Sequence, residues 1–327
     1  MVAVMIDGIA RPDMQAIAAL RDALRPYIFE TPVFTRPGAA ETDSQWQFKF
    51  ECLQASGTFK ARGAFSNMLA LSDAERARGV TAVSAGNHAV AVAYAAMQLG
   101  LSAKVVMLAT ANPARVALCR AYGAEILLEP DGAQAFARVQ EIERAEGRIF
   151  IHPFNGYRTV LGTATLGAEW AGQSGGLDAV VLPIGGGGLA AGVATAFKLA
   201  MPEVTVYGAE PVGAASMALS FASNGPLKMA SLQSIADSLM APHTEAYSYG
   251  LCRENIDQLT TVDDDMIRGA MRWLFENLKL AVEPSCAVAT AAAMGPLREA
   301  LAGKRVGVLL CGSNTDLATF NRHISGV

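Results

Sequence analysis

The sequence predicts an α/β protein built of open, twisted, mostly parallel sheets flanked by helices. Three observations point there. Short apolar, β-rich runs alternate with longer helical patterns along most of the chain, the arrangement that makes parallel sheets covered on both faces. Glycine-bearing loops fall at the ends of those elements, where parallel sheets place their ligands. Apolar residues make up 52% of the 327 and charged residues only 17%, which supports one large or two medium cores rather than a disordered chain.

Taken in order, the strands expected are Phe48–Glu51, Val80–Val83, Lys104–Leu108, Glu125–Leu128, Arg148–Ile151, Ala179–Leu182, Val204–Ala209 and Arg305–Leu310. Between them lie helical stretches at Ala89–Leu99, Pro113–Tyr122, Ala133–Glu146 and Leu189–Ala200. Met266, Ile267, Ala270, Met271, Leu274, Phe275 and Leu278 recur at helical spacing and predict one apolar face. No internal repeat, low-complexity tract or marked linker interrupts the pattern.

Composition excludes several classes. Twenty-six basic against 30 acidic side chains leave no electrostatic footprint for nucleic acid or anionic lipid. The five cysteines are odd in number and show no CxxC spacing, so neither a disulfide framework nor a zinc ribbon is expected. The N-terminal stretch lacks a basic segment and is interrupted by Asp7, so it does not read as a signal peptide. Ala179–Phe197 carries no charge, but Pro183 and its glycines make it a strand, a tight loop and a helix rather than a membrane span. A soluble, cytoplasmic protein is expected.

Four loops carry the candidate chemistry: residues 55–64 (ASGTFKARGA), 84–90 (SAGNHAV), 184–192 (IGGGGLAAG) and 311–314 (CGSN). Gly185–Gly188 lie between an apolar strand and a helix, where backbone N–H groups and the helix dipole can cradle a phosphate. A turn chosen only for tight packing is the plainer alternative. A dinucleotide fold is the sharper rival, because Glu210 ends the next strand about where a ribose-binding acid would stand. Four consecutive glycines are not a G-x-G-x-x-G pattern, however. Lys60 lies between a strand and a helix beside Phe59, where desolvation would lower its pKa and supply a neutral amine. An arbitrary lysine is more often a solvated one, and only the surrounding pattern overturns that.

Together these motifs resemble the threonine and serine dehydratases and serine racemases, pyridoxal-phosphate enzymes related to the tryptophan synthase β chain. The resemblance runs from Thr31-Pro32 to Asn314 and includes Glu283-Pro284-Ser285, with all five motifs in the family's order. It implies the two-domain fold of that family: residues 65–150 a small domain inserted into a large cofactor-binding one formed by 1–64 and 151–327, with the site in the cleft. It also implies a homo-oligomer, a dimer. Lys60 looks like the lysine that carries pyridoxal 5'-phosphate as an imine and moves the α-proton, with Phe59 packed on the cofactor ring and Asn87 bonded to its 3-oxygen. Gly185, Gly186, Gly187, Gly188 and Leu189 would bind its phosphate. Cys311 would face the pyridine nitrogen as a neutral partner, which suits β-elimination better than transamination. Ser56, Ser84, Gly86 and His88 would surround the substrate carboxylate.

The implied reaction is removal of water and ammonia from a small hydroxy amino acid such as threonine or serine, leaving a 2-oxo acid. Racemisation is disfavoured, because Ala85 stands where the family's racemases place a proton-carrying serine. Val90, Gly162-Thr163-Ala164-Thr165, Cys286 and Asn155-Gly156-Tyr157-Arg158 depart from the usual pattern and bear on the substrate. An Arg158 near the pocket would pair with a side-chain carboxylate and make 3-hydroxyaspartate the alternative substrate; on the outer face of its helix it would do nothing of the kind. No metal is expected. Family members that bind a divalent cation use an acid like Glu210, a carbonyl like that of Ala214 and a second acid where Ser216 stands here. Glu210 reads equally as an exposed loop acid. The scattered histidines, His152 among them, read as structural or surface residues, and Glu283 reads as either a cofactor neighbour or a helix-start acid. With little chain after the CGSN loop, no C-terminal regulatory domain and no feedback through one are expected.

Overall fold

The computed structural model of the chain describes residues 5–38 and 42–326; the first four residues of the N-terminal stretch discussed above lie outside them. After a short antiparallel hairpin, β1 (Met5–Ile6) and β2 (Ile9–Ala10), the strands are β3 (Val33–Pro37), β4 (Gln45–Lys49), β5 (Val80–Val83), β6 (Ala103–Leu108), β7 (Glu125–Glu129), β8 (Ile149–Phe150), β9 (Ala179–Pro183), β10 (Thr205–Pro211), β11 (Gln258–Val262) and β12 (Arg305–Leu309). They form two larger sheets. One has six strands in the order β11-β10-β9-β12-β4-β3 and the other four, β7-β6-β5-β8.

Every pairing in the two larger sheets is parallel except β3–β4, where seven intervening residues are too few for the crossover a parallel neighbour needs. The register sets Val308 of β12 opposite Phe48 of β4 and Val181 of β9 at the centre of the large sheet. All five residues of β9 are buried, as a strand covered on both faces requires. The strand expected at Phe48–Glu51 lies three residues earlier, because Phe50 leaves the ladder and Glu51–Leu53 turn as a 3₁₀ helix. The strand expected at Arg148–Ile151 pairs over only two residues.

The helices are α1 (Met14–Leu24), α2 (Lys60–Leu69), α3 (Asp73–Arg78), α4 (Asn87–Leu99), α5 (Pro113–Ala121), α6 (Gly132–Glu146), α7 (Tyr157–Gln173), α8 (Gly188–Ala200), α9 (Ser216–Ala222), α10 (Ala246–Asn255), α11 (Asp264–Leu278), α12 (Pro284–Met294) and α13 (Leu317–Ser325). In α11 the expected apolar face buries Ile267, Ala270, Met271 and Leu274, while Met266 and Phe275 stay exposed. The uncharged stretch 179–197 resolves into β9, a loop and most of α8, and no described helix is long and apolar enough to cross a membrane.

The start of α2 is held by a buried ionic cluster. Arg62 pairs with Glu51 at 2.6 Å and with Glu169 of α7 at 2.9 Å, and Lys49 of β4 reaches the same Glu169 at 2.5 Å. Thr31 adds a hydroxyl to Glu51 at 2.8 Å. Two cations meet two carboxylates in the interior, so each charge has a partner and the cluster fixes α2 against β4 and α7. That fixes the residue at the first position of α2, Lys60.

Candidate active site

Lys60 opens α2, and the loop before it is stitched to the 311–314 loop. The Phe59 N–H donates to the Cys311 carbonyl at 3.1 Å, the Ser313 N–H donates to the Gly57 carbonyl at 2.9 Å, and Thr58 bridges Gly312. Lys60 lines a narrow cavity with Phe59, His88, His152, Gly188 and Leu189, so residues from distant stretches meet there. Its ammonium is enclosed by protein, and that desolvation lowers its pKa to about 8; Cys311 and Glu283 are the neighbours that oppose the shift. The amine donates to the Pro153 carbonyl and lies 5.0 Å from the centre of the Phe59 ring. With a pKa of about 8, about a tenth of this amine is neutral at pH 7, far more than for a solvated lysine.

The tetraglycine runs from the end of β9 into α8. Each of its residues is glycine for lack of space. A Cβ on Gly186 would lie 2.3 Å from the Phe154 ring, one on Gly188 2.3 Å from the Phe154 carbonyl oxygen, and one on Gly185 3.0 Å from the Leu239 backbone. Gly187 adds a φ of +95°. Thr163 of α7 donates its hydroxyl to the Gly188 carbonyl at 2.7 Å and ties the loop down.

The 84–88 loop joins β5 to α4. The Gly86 N–H donates to the Ser84 hydroxyl at 3.0 Å. A Cβ on Gly86 would meet Ser238 Oγ at 3.1 Å and Arg115 Nη1 at 3.2 Å. His88 is buried with Nε2 2.7 Å from the Ile151 carbonyl, which makes Nε2 the protonated nitrogen. Burial lowers its pKa to about 3 and Lys60 acts in the same direction, so it is a neutral imidazole. Its ring is therefore no cation for a carboxylate. The first N–H groups of α4, at Asn87 and His88, are the donors that a helix leaves free. Ser56 is likewise buried, with its hydroxyl directed to the Thr58 carbonyl at 3.3 Å.

Asn87 has a defined orientation. Its Oδ1 accepts from Asn314 Nδ2 at 2.8 Å, so its own Nδ2 points the other way and donates to Glu283 Oε1 at 2.5 Å. The second N–H of that amide is left for a ligand, with Ser238 Oγ at 3.5 Å as its weak alternative. Cys311 is buried with Cys286 beside it, and enclosure among thiols and near Glu283 holds it protonated, well above the ordinary thiol range.

Several of these contacts were not legible in the sequence. Glu283 occupies the N-cap position of α12 but makes no capping bond; its carboxylate faces Asn87 and Arg115 instead. Arg115 also binds Asp237 at 2.6 Å and the Asn314 carbonyl at 2.8 Å. Its one local signal was an arginine in the first turn of α5, the end where the helix dipole disfavours a cation. His152 lies on the cavity wall rather than in a scattered structural position. Its Nδ1 accepts from the backbone N–H of Asn155 at 2.9 Å, which places its proton on Nε2, and burial lowers its pKa to about 4.

The structure decides between the two readings of Arg158 and corrects that of Glu210 as an exposed acid. Arg158 is exposed and rests over Tyr157 on the outer face of α7, because Thr159 and Val160 take the inward positions; it pairs with nothing in the site. Glu210 is not a loop acid on the surface but fully buried, its two oxygens accepting from Met217 N and Ala218 N at 2.8 Å each. With that carboxylate occupied by backbone donors and only the Ser216 hydroxyl beside Ala214, the residues do not fit a divalent cation. No group of three or more potential metal-binding side chains occurs among the described residues.

The residues present do fit pyridoxal phosphate: a desolvated lysine, a glycine cradle that a single Cβ would fill, and an oriented amide with one N–H to spare. The chain belongs to the family of pyridoxal-phosphate dependent enzymes, whose model matches residues 24–312. It is an enzyme of the ammonia-lyase kind within that family, resembling the threonine and serine dehydratases, with the tryptophan synthase β type of fold. It is 64% identical to a phenylserine dehydratase of Ralstonia pickettii over 98% of both chains. It is 36% identical to a beta-hydroxyaspartate dehydratase of Paracoccus denitrificans, over 94% of this chain and 97% of that one. The solved structure of maize serine racemase matches with a TM-score of 0.90 at 33% identity, covering 96% of this chain and 97% of that one.

Proposed function

We propose that the protein removes water and ammonia from a β-hydroxy amino acid with a neutral, aromatic side chain, phenylserine being the substrate best supported, and leaves a 2-oxo acid. The observation that carries this reading is the state of Arg115. It is the guanidinium nearest the 84–88 loop, and Asp237 and Glu283 already pair with it. Lys60 is the only cation among the described residues lining the cavity. A side-chain carboxylate such as that of 3-hydroxyaspartate would enter without a partner, and an unpaired buried charge is strongly disfavoured. An aryl group meets a friendlier wall: Phe59, Pro153, Leu189 and the His152 ring line the cavity, and Phe154 backs His152 in edge contact at 4.7 Å. The similarity to a phenylserine dehydratase supports the same choice.

Bound pyridoxal phosphate supplies an electron sink that acidifies the substrate α-carbon and eases departure of the β-hydroxyl. In this reading Lys60 holds the cofactor and, once free as a neutral amine, takes the α-proton. The N–H groups of Gly185 to Leu189 hold the phosphate. The N–H groups of Asn87 and His88, with Ser84 beside them, receive the substrate carboxylate, while Phe59 and Asn87 orient the ring. Cys311, a protonated thiol, would face the ring nitrogen as a neutral partner. Ala85 offers no proton for the opposite face, which works against racemisation.

The test is side-chain selectivity. We expect kcat/KM for phenylserine to exceed that for threonine, and turnover of the 3-hydroxyaspartate stereoisomers to be slower by at least about 100-fold, as an unpaired charge demands. A rate with 3-hydroxyaspartate equal to that with phenylserine would contradict the reading.

A further inference from the structure

Three buried side chains, Arg115, Glu283 and Asn87, form a relay from α5, beside the four-stranded sheet, to the oriented amide of Asn87. Arg115, 4% exposed, comes from α5; everything it binds comes from segments of the six-stranded sheet. Nε donates to the Asn314 carbonyl at 2.8 Å, Nη1 to Asp237 Oδ2 at 2.6 Å, and Nη2 to Glu283 Oε2 at 3.1 Å and Asp237 Oδ1 at 3.4 Å. Glu283 is fully buried and has both oxygens in use, Oε2 on Arg115 and Oε1 on Asn87. Asn314, whose carbonyl Arg115 holds, fixes the other end of the same amide. Two motif glycines leave room for the relay to pass. A Cβ on Gly312 would lie 2.9 Å from Glu283 Oε1 and 3.1 Å from Asn87 Nδ2, and one on Gly86 would lie 3.2 Å from Arg115.

We propose that Arg115 is a positioning residue for the cofactor: by holding Glu283 as the acceptor of one Asn87 N–H, it aims the other N–H of that amide at the cofactor ring, and it does so only while α5 is seated against Asp237 and Asn314. The inference rests on the assignment of Asn87 to the cofactor. Its physical basis is the state of Glu283. Burial pushes that carboxyl up to about 7 even with Arg115 opposing the shift. Without the guanidinium the buried carboxylate keeps one amide donor as its partner, and it takes up a proton. A protonated Glu283 is a poorer acceptor, and the Asn87 amide loses the charge-assisted bond that fixes it. Lysine cannot substitute fully, since one ammonium cannot span Asp237, Glu283 and the Asn314 carbonyl together.

The experiment compares the holoenzyme with Arg115→Ala, Arg115→Lys, Glu283→Gln, the double variant Arg115→Ala/Glu283→Gln, and Asn87→Ala. Apoenzyme is titrated with pyridoxal phosphate and its visible absorbance gives a Kd; kcat and KM follow on the reloaded proteins. Loss of one charge-assisted bond predicts that Arg115→Ala weakens cofactor binding about tenfold or more and lowers kcat more than it raises KM. Arg115→Lys should recover part of that loss. The double variant should be no worse than the weaker single one, because both act through one contact. An Arg115→Ala Kd within twofold of wild type, or losses that multiply in the double variant, would overturn the relay and leave the Asn87 assignment standing. A wild-type Kd in Asn87→Ala would overturn both. Should Arg115→Ala fail to fold, Arg115→Lys decides: a severalfold weaker Kd is expected, and an unchanged one refutes the proposal.

Discussion

Replacing Arg62 by methionine should destabilise the protein by about 3–5 kcal/mol, although methionine fills most of the same space. Arg62 is fully buried and donates to Glu51 at 2.6 and 3.1 Å and to Glu169 at 3.0 and 2.9 Å. Its removal leaves two buried carboxylates to share Lys49, which already reaches Glu169. At about 2 °C per kcal/mol for a chain of this size, the melting temperature falls by about 6–10 °C. The penalty also carries a pH signature. Burial raises the Glu169 pKa, but Arg62 and Lys49 outweigh it and hold the group below the ordinary carboxylate value of 4.5. In the wild type this contributes stability above the unfolded pKa that is lost as pH falls through the folded one. In the variant burial prevails, the folded pKa rises, and protonation relieves the mismatch. The stability gap between variant and wild type should therefore be widest near pH 8 and narrow towards pH 5. Thermal unfolding of both holoproteins across that range measures it. A fall of less than about 2 °C at pH 8, or a gap independent of pH, would mean that Arg62 does not hold Glu51 and Glu169 as a buried ion-pair partner.

Other positions give equally direct tests. Gly188→Ala places a Cβ 2.3 Å from the Phe154 carbonyl oxygen, so the start of α8 must shift; we expect severe loss of cofactor affinity, and an unchanged Kd would contradict the cradle. Because burial lowers the Lys60 pKa to about 8, apoenzyme should combine with pyridoxal phosphate faster as pH rises, levelling off above about 8 rather than near 10.5. Cys311→Ala should keep the cofactor and lose no more than about tenfold in kcat, the worth of one neutral hydrogen bond of roughly 0.5–1.5 kcal/mol.

What the sequence made legible follows the physics of each element. Strands buried on both faces, such as β9, appear as unbroken apolar runs and were read nearly to the residue. The edge strands β3 and β11 were not, because VFTRP and QLTTV are half-exposed and polar and gain their order from a neighbour. Helix α12 escaped the periodicity reading for the opposite reason: Pro284 to Ala293 are all buried, so no polar face marks a period. In the site, the glycine loops and Lys60 were legible because local backbone demands leave local traces. The Arg115–Glu283–Asn87 relay joins residues up to 196 positions apart, and none has a sequence neighbour that announces the contact. The fate of Arg158 turned on a few tens of degrees around α7, which side-chain burial alone decides.

The proposed dehydrative deamination of an aryl β-hydroxy amino acid stands on Lys60 and its cradle. The most direct measurement follows phenylserine with the purified, cofactor-loaded protein and quantifies phenylpyruvate and ammonia together, in wild type and in Lys60→Ala. The wild type should give the two products in equal amounts, and Lys60→Ala should be a folded protein with neither turnover nor the yellow absorbance of bound cofactor. Oxo acid released at the wild-type rate by Lys60→Ala, or phenylserine left unchanged by the wild type, would contradict it.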